Sequence, residues 1–206
     1  MDRPRSVSLI DGGWLAKARQ GFVSDPRWDL QSFADCLVPK HHWRFRTYYF
    51  DALPYKDRNN ASPFQQQKYR EKEEELQRID RLERFTVRKG YCKQRMVSGY
   101  LRDGGYQEKQ TEIVTIEQKM VDVLLAVEMT RIAWSKEALH IGLVGGDGDY
   151  VAAVEAARNA GAIVRLFYVK TRETSVAPQL FDVVDERVDL TGVFQDMEAG
   201  RPVPTK

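Results

Sequence analysis

Four aspartates stand where apolar stretches meet turns or backbone that a ligand could approach. They are Asp11 after VSLI, Asp122 within KMVDVLLAVEM, and Asp147 and Asp149 in GGDGDY. A carboxylate in apolar surroundings is costly to desolvate unless something pairs with it. Asp147 and Asp149 are two residues apart among glycines that let backbone and ligand come close. Their mutual repulsion is best relieved by a divalent ion. Carboxylates without a thiol or imidazole cluster form a hard-oxygen set, suited to Mg²⁺ or Mn²⁺ and ill suited to zinc. Such a set would position a phosphodiester, acidify a water and neutralise the leaving oxygen, which is the chemistry of nucleic-acid backbone hydrolysis.

Each acid also has a plainer explanation. Asp11 followed by Gly12 could be a turn residue. Lys119, three positions before Asp122, could hold it in a salt bridge on one helix surface. Asp149 could cap the helix YVAAVEAARNAG, a role not expected of Asp147. His41, His42 and His140 are scattered, and HHW is expected to be a solvated turn. A phosphate loop at GGDGD is disfavoured, because its two acids would repel the ligand unless a metal intervened.

A basic track accompanies the acids. Residues 88–109 carry six Lys or Arg against two acids. Arg88, Lys89, Lys93, Arg95 and Arg102 are interleaved with Tyr91, Tyr100 and Tyr106, as backbone contact combined with base stacking requires. Lys119 joins them as a candidate RNA contact. A solvated ribbon would carry similar charge.

Positioning these residues calls for alternating strands and helices. Strands are predicted at 7–11, 44–52, 85–92, 139–147 and 163–169, and helices at 29–37, 64–84, 115–134 and from Asp149 to Gly161. The charged segment 64–84 repeats apolar Leu76, Ile79 and Leu82 at helical spacing, enough for one buried stripe. The segment 115–134 is apolar around most of its circumference, as expected of a helix packed against both sheet and neighbours. The stretch from about 93 to 111 is expected to be a loop or extended ribbon, APQLFDVVDERVDL a short helix and an edge segment, and MEAGRPVPTK a disordered tail. This order gives an α/β three-layer sandwich with a central, mainly parallel sheet of five or six strands. Ligands of such folds bind outside the carboxyl ends of the strands, where Asp11 and Asp147 fall.

Composition agrees with a folded domain. The chain has 206 residues, 42% hydrophobic and 30% charged, and a formal charge of +2. That is enough to bury a core without staples and too apolar for global disorder. Two cysteines suit neither a disulfide framework nor a zinc site, so a reducing compartment, the cytoplasm, is expected. No stretch approaches the roughly 20 apolar residues of a membrane span.

At IDGGWL, KMVDVLLAVEM and LVGGDGDYVAAVEAARNAGAIV the sequence resembles the NYN family, in its LabA-like branch of PIN-like nucleases, over roughly residues 6–190. The resemblance implies one domain over 1–192, with insertions near 54–84 and 88–111 forming a substrate wall or partner surface, and a flexible tail at 193–206. It implies a metal-dependent endoribonuclease in which Asp11, Asp122, Asp147 and Asp149 bind Mg²⁺ or Mn²⁺ and act on RNA, single-stranded or structured. A homodimer is a further expectation. Family members commonly carry Asn where Trp14 stands, which leaves open a catalytically weak or inactive regulatory or RNA-binding module.

Overall fold

The computed structural model describes residues 3–20, 22, 29–102, 108–171 and 174–201. In chain order the elements are β1 (Arg5–Asp11), α1 (Gly12–Gln20), α2 (Leu30–Cys36), β2 (Trp43–Leu53), α3 (Pro63–Asp80), β3 (Phe85–Arg102), β4 (Glu108–Lys119), α4 (Val121–Trp134), β5 (His140–Val144), α5 (Val151–Asn159), β6 (Ile163–Tyr168), α6 (Pro178–Val183), β7 (Glu186–Asp189) and α7 (Thr191–Glu198).

The seven strands form one sheet in the order β4-β3-β2-β1-β5-β6-β7. All neighbours are parallel except β3 and β4. The sequence points to five or six strands. The difference lies in the basic segment, where β3 runs on to Arg102 and β4 returns as an antiparallel ribbon. The succession of β-branched Val114, Thr115 and Ile116 favours this ladder over a helix.

The helix predicted from residue 115 therefore begins at Val121. Met120, with φ of 76°, turns the chain from β4 into α4 through the left-handed region. Gly90 lets that junction cross closely over β3. A Cβ there would stand 2.5 Å from the Lys119 carbonyl oxygen and 2.7 Å from Val121 Cγ2.

Two cores sandwich the sheet. On one face Val7 and Leu9 of β1 pack with Leu125, Met129 and Ile132 of α4 and with α5 and α6. On the other, Ile10 meets Leu15 of α1, Phe33 of α2, Leu76 and Ile79 of α3 and Phe194 of α7. The Leu76/Ile79 stripe is thus buried as its spacing predicts, and Lys72 of α3 reaches Asp51 of β2 at 2.7 Å. The outer face of α4 departs from expectation, since Val123, Val127 and Trp134 are exposed.

The C-terminal boundary also moves. Residues from 193 are expected to be a tail, yet Val193 and Phe194 of α7 are buried against α1 and α2. Among the described residues no helix is long and apolar enough to cross a membrane.

Candidate active site

The chain leaves β1 toward β2 on one side and returns to β5 on the other, so a crevice opens where these two strands end side by side. This is the topological switch point of a doubly wound sheet. Asp11 is the last residue of β1. Its Oδ1 accepts the backbone N–H of Trp14 at 3.0 Å, capping α1. Asp11 is therefore more than a turn residue, because its second oxygen points elsewhere.

That oxygen, Oδ2, lies 2.9 Å from the hydroxyl of Tyr150, and the same hydroxyl is 3.0 Å from Asp122 Oδ1. A single hydroxyl hydrogen can serve only one of these contacts at a time. The other is satisfied only when a carboxyl carries a proton. Burial raises Asp11 above the ordinary carboxylate value, with the Asp122 charge adding to it and the Trp14 and Tyr150 hydrogen bonds opposing. Burial likewise drives the Tyr150 hydroxyl upward, and the two acids beside it reinforce the shift. Tyr150, fully buried, is a site residue that sequence reasoning passed over. Its only signal was an aromatic next to the acid pair in GDGDY.

Asp122 sits in the first turn of α4, where the helix dipole favours an acid. It is half-exposed at the crevice rather than enclosed in the apolar helix. Lys119 is not its partner. It ends β4 and pairs with Glu117 at 2.7 Å.

Asp147 and Asp149 follow β5. The capping roles expected of them are exchanged, since Asp147 Oδ1 accepts the backbone N–H of Asp149 at 2.9 Å and caps the short 3₁₀ turn Gly148–Tyr150. Oxygens of Asp122, Asp147 and Asp149 come within 4.8 Å of one another. Carboxylates so close can share one small cation whose bonds to oxygen are about 2.1 Å, and the all-oxygen donor set fits a hard divalent ion. Asp11 stands apart from this trio and joins it through Tyr150.

Around the acids lies a cleft of about 530 Å³ whose walls include Trp14, Lys17, Gln118, Thr174 and Ser175. The Trp14 indole N–H faces the Ser175 carbonyl at 3.5 Å. Gly146 makes room for this closure, since a Cβ there would meet Ser175 O at 2.4 Å and Trp14 Nε1 at 2.6 Å. Lys17 is an exposed cation at the rim that the sequence offered no reason to single out.

The basic track is divided by the fold. Arg88 pairs with buried Glu128 at 3.1 Å and lies over Tyr48, so it is committed to the α4 side of the sheet. Arg95 pairs with Glu117 at 3.1 Å. Lys89, Tyr91 and Lys93 are exposed. The side chains of Tyr100 and Arg102, and all of Tyr106, lie outside the described residues. The histidines are not a plain solvated turn, because His42 bonds Ser6 Oγ at 2.8 Å and its ring meets that of His140 edge-on at 4.2 Å.

The NYN domain matches residues 33–191, a span that holds Asp122, Asp147, Asp149 and Tyr150 and leaves Asp11 before it. No curated protein matches the chain. A crystal structure of a protein of unknown function from Vibrio parahaemolyticus is similar at 18% identity and a TM-score of 0.46, over 92% of this chain and 95% of that one. With well over half of its 206 residues matched, the chain belongs to the NYN domain family, a group of PIN-like ribonuclease domains.

Proposed function

We propose that this protein is a metal-dependent endoribonuclease that hydrolyses RNA phosphodiester bonds with Mg²⁺ or Mn²⁺. The observation that carries the reading is the convergence of Asp122, Asp147 and Asp149 within 4.8 Å at the switch point of the sheet. These three carboxylates would hold the ion, with Asp11 behind them. When bound, the ion supplies Lewis acidity toward the phosphodiester and toward an attacking water.

The chain's own groups do the rest. Tyr150 fixes the orientation of Asp11 and Asp122 through one hydroxyl. Asp147, held by the Asp149 N–H, has one oxygen committed and one open to the cleft. Lys17 at the rim offers a charge-assisted contact to a phosphate oxygen. The test is cleavage of RNA in Mn²⁺. Products should disappear with EDTA and in Asp147→Asn, the fold being intact by circular dichroism, and cleavage at the wild-type rate by that variant would overturn the site.

Trp14 favours a second reading. Its indole lines the cleft and closes toward Ser175, where the resemblance leads one to expect a small polar side chain. A non-catalytic RNA-binding module would bind RNA in Mn²⁺ with full affinity and release no products, which separates it from the enzyme.

A further inference from the structure

Gln118 forms part of the wall of the acid cleft. Cys92 stands opposite Gln118 in the β3–β4 ladder, so the two side chains share one face of the sheet about 5 Å apart. Cys92 opens in turn on a second groove of about 700 Å³, lined by residues 55–59 and 91–94. The groove exists because β2 pairs with β3 only as far as Leu53 and Tyr91. Past that point the chain leaves the sheet as a loop and forms a wall along β3.

The loop is held in place. The Asp57 carboxylate accepts the backbone N–H groups of Asn59 and Asn60, both at 2.8 Å, and the Tyr55 hydroxyl at 3.2 Å. The backbone of Tyr55 hydrogen-bonds Cys92. Asp57, the groove's acid, is thus turned inward on its own loop. The Lys56 ammonium, though exposed, lies over the Tyr69 ring at 4.0 Å, whereas Arg58 and Lys93 are exposed and among the described residues neither makes an ion pair. Tyr91 is half-exposed beside them, and Tyr55 forms part of the same wall.

We propose that this groove holds the single-stranded segment of RNA that flanks the bond at the acid cleft, a proposal that rests on the nuclease reading for the identity of its ligand. Arg58, Lys93 and Lys56 take the phosphates, and Tyr91 and Tyr55 offer faces to unpaired bases. Stacking on tyrosine needs bases free of a duplex, so a single strand is the form that uses both features. An extended peptide could also lie along an open strand edge. Two uncommitted cations, Arg58 and Lys93, with Lys56 nearby, against one internally satisfied acid favour the polyanion.

The test is binding of a fluorescein-labelled oligouridylate of about 12 nucleotides to the full chain in EDTA, where cleavage does not enter. Arg58→Glu with Lys93→Glu should weaken binding at least about tenfold and flatten its salt dependence by about 1.4 in slope, 0.7 for each lost phosphate contact. Tyr91→Ala should weaken it about tenfold, the size of one stacked base, with the salt slope kept. A duplex of equal length should bind more weakly than the single strand. Photocrosslinking of 4-thiouridine RNA to the unaltered chain needs no variant, and should mark peptides containing residues 55–59 or 91–94.

Wild-type affinity in both variants, crosslinks confined to the acid cleft, tighter binding of the duplex, or an extended peptide displacing the RNA would each overturn the proposal. Its failure is distinct from that of the nuclease reading. A chain that crosslinks here without cleaving in Mn²⁺ keeps the groove and loses the enzyme, and one that cleaves without groove binding does the reverse.

Discussion

Tyr150 reaches Asp11 across 139 positions of sequence, hydroxyl to carboxylate at 2.9 Å, and so ties the end of β1 to the turn after β5. The same oxygen touches Asp122. Removing it as Tyr150→Phe leaves Asp11 with the Trp14 N–H and deprives Asp122 of this donor. We expect a loss of about 1–3 kcal/mol in stability by urea denaturation, together with weaker Mn²⁺ binding. An unfolding curve superimposable on the wild type would mean that the bridge contributes nothing.

Burial of Asp11 has a pH signature. Its folded value is raised above the ordinary 3.8, so the stability associated with its neutral form is complete below 3.8 and lost as pH rises through the folded value. Asp11→Asn keeps an oxygen for the Trp14 N–H and carries no charge at any pH. Without divalent ions, the variant should melt higher than wild type at pH 8, and the gap should narrow as the pH falls. A wild type that gains on the variant with rising pH contradicts the burial argument.

Three clustered carboxylates repel one another until a cation joins them. At Mn²⁺ about a hundredfold above its Kd, linkage adds about 2.7 kcal/mol to the folded state. For a domain of this size that corresponds to a rise of about 5–10 °C in Tm. The rise should vanish in Asp122→Asn and in Asp147→Asn. Equal shifts in all three proteins would locate the ion elsewhere.

Gly146 is the point at which backbone allows Trp14 and the Ser175 strand of chain to close over the acids. Gly146→Ala drives a methyl to 2.4 Å from a carbonyl oxygen. The expected cost is about 1–3 kcal/mol, with a change in Trp fluorescence as the indole is displaced. Unchanged stability and emission would show that the wall yields freely.

The alternation of apolar runs with helical segments carried most of the architecture, because burial on both faces makes parallel strands read as short apolar blocks. VSLID, RFRTYYFDA and IVRLFYV each became a strand. The ribbon was harder to read. The described side chains at 93–97 and most of those at 114–119 are exposed, so no buried apolar periodicity marks the ladder, and TIEQK flows into a strongly helical segment without a proline or glycine. The break at Met120 is a left-handed backbone turn by a residue that rarely adopts one. Helix α1 was hidden by the two glycines that begin it.

The acids of the site were legible one by one, since each stands where its charge needs an explanation. Their partners were not. A tyrosine in GDGDY looks like any core aromatic until its hydroxyl is located, and which of Asp147 and Asp149 caps the turn depends on backbone angles. Arg88 illustrates the opposite error. Within the sequence it belongs to a basic track, but strand alternation turns it toward Glu128, while its neighbour Lys89 faces solvent.

The acid cluster draws on elements far apart in the sequence, and β1 is joined to its neighbour β5 across more than 130 positions of chain. Without the turn after β5, Asp11 and Asp122 have neither the Tyr150 hydroxyl between them nor the Asp147 and Asp149 carboxylates. The acid cluster and the pairing of the two central strands therefore form together, so the site has no partly assembled form.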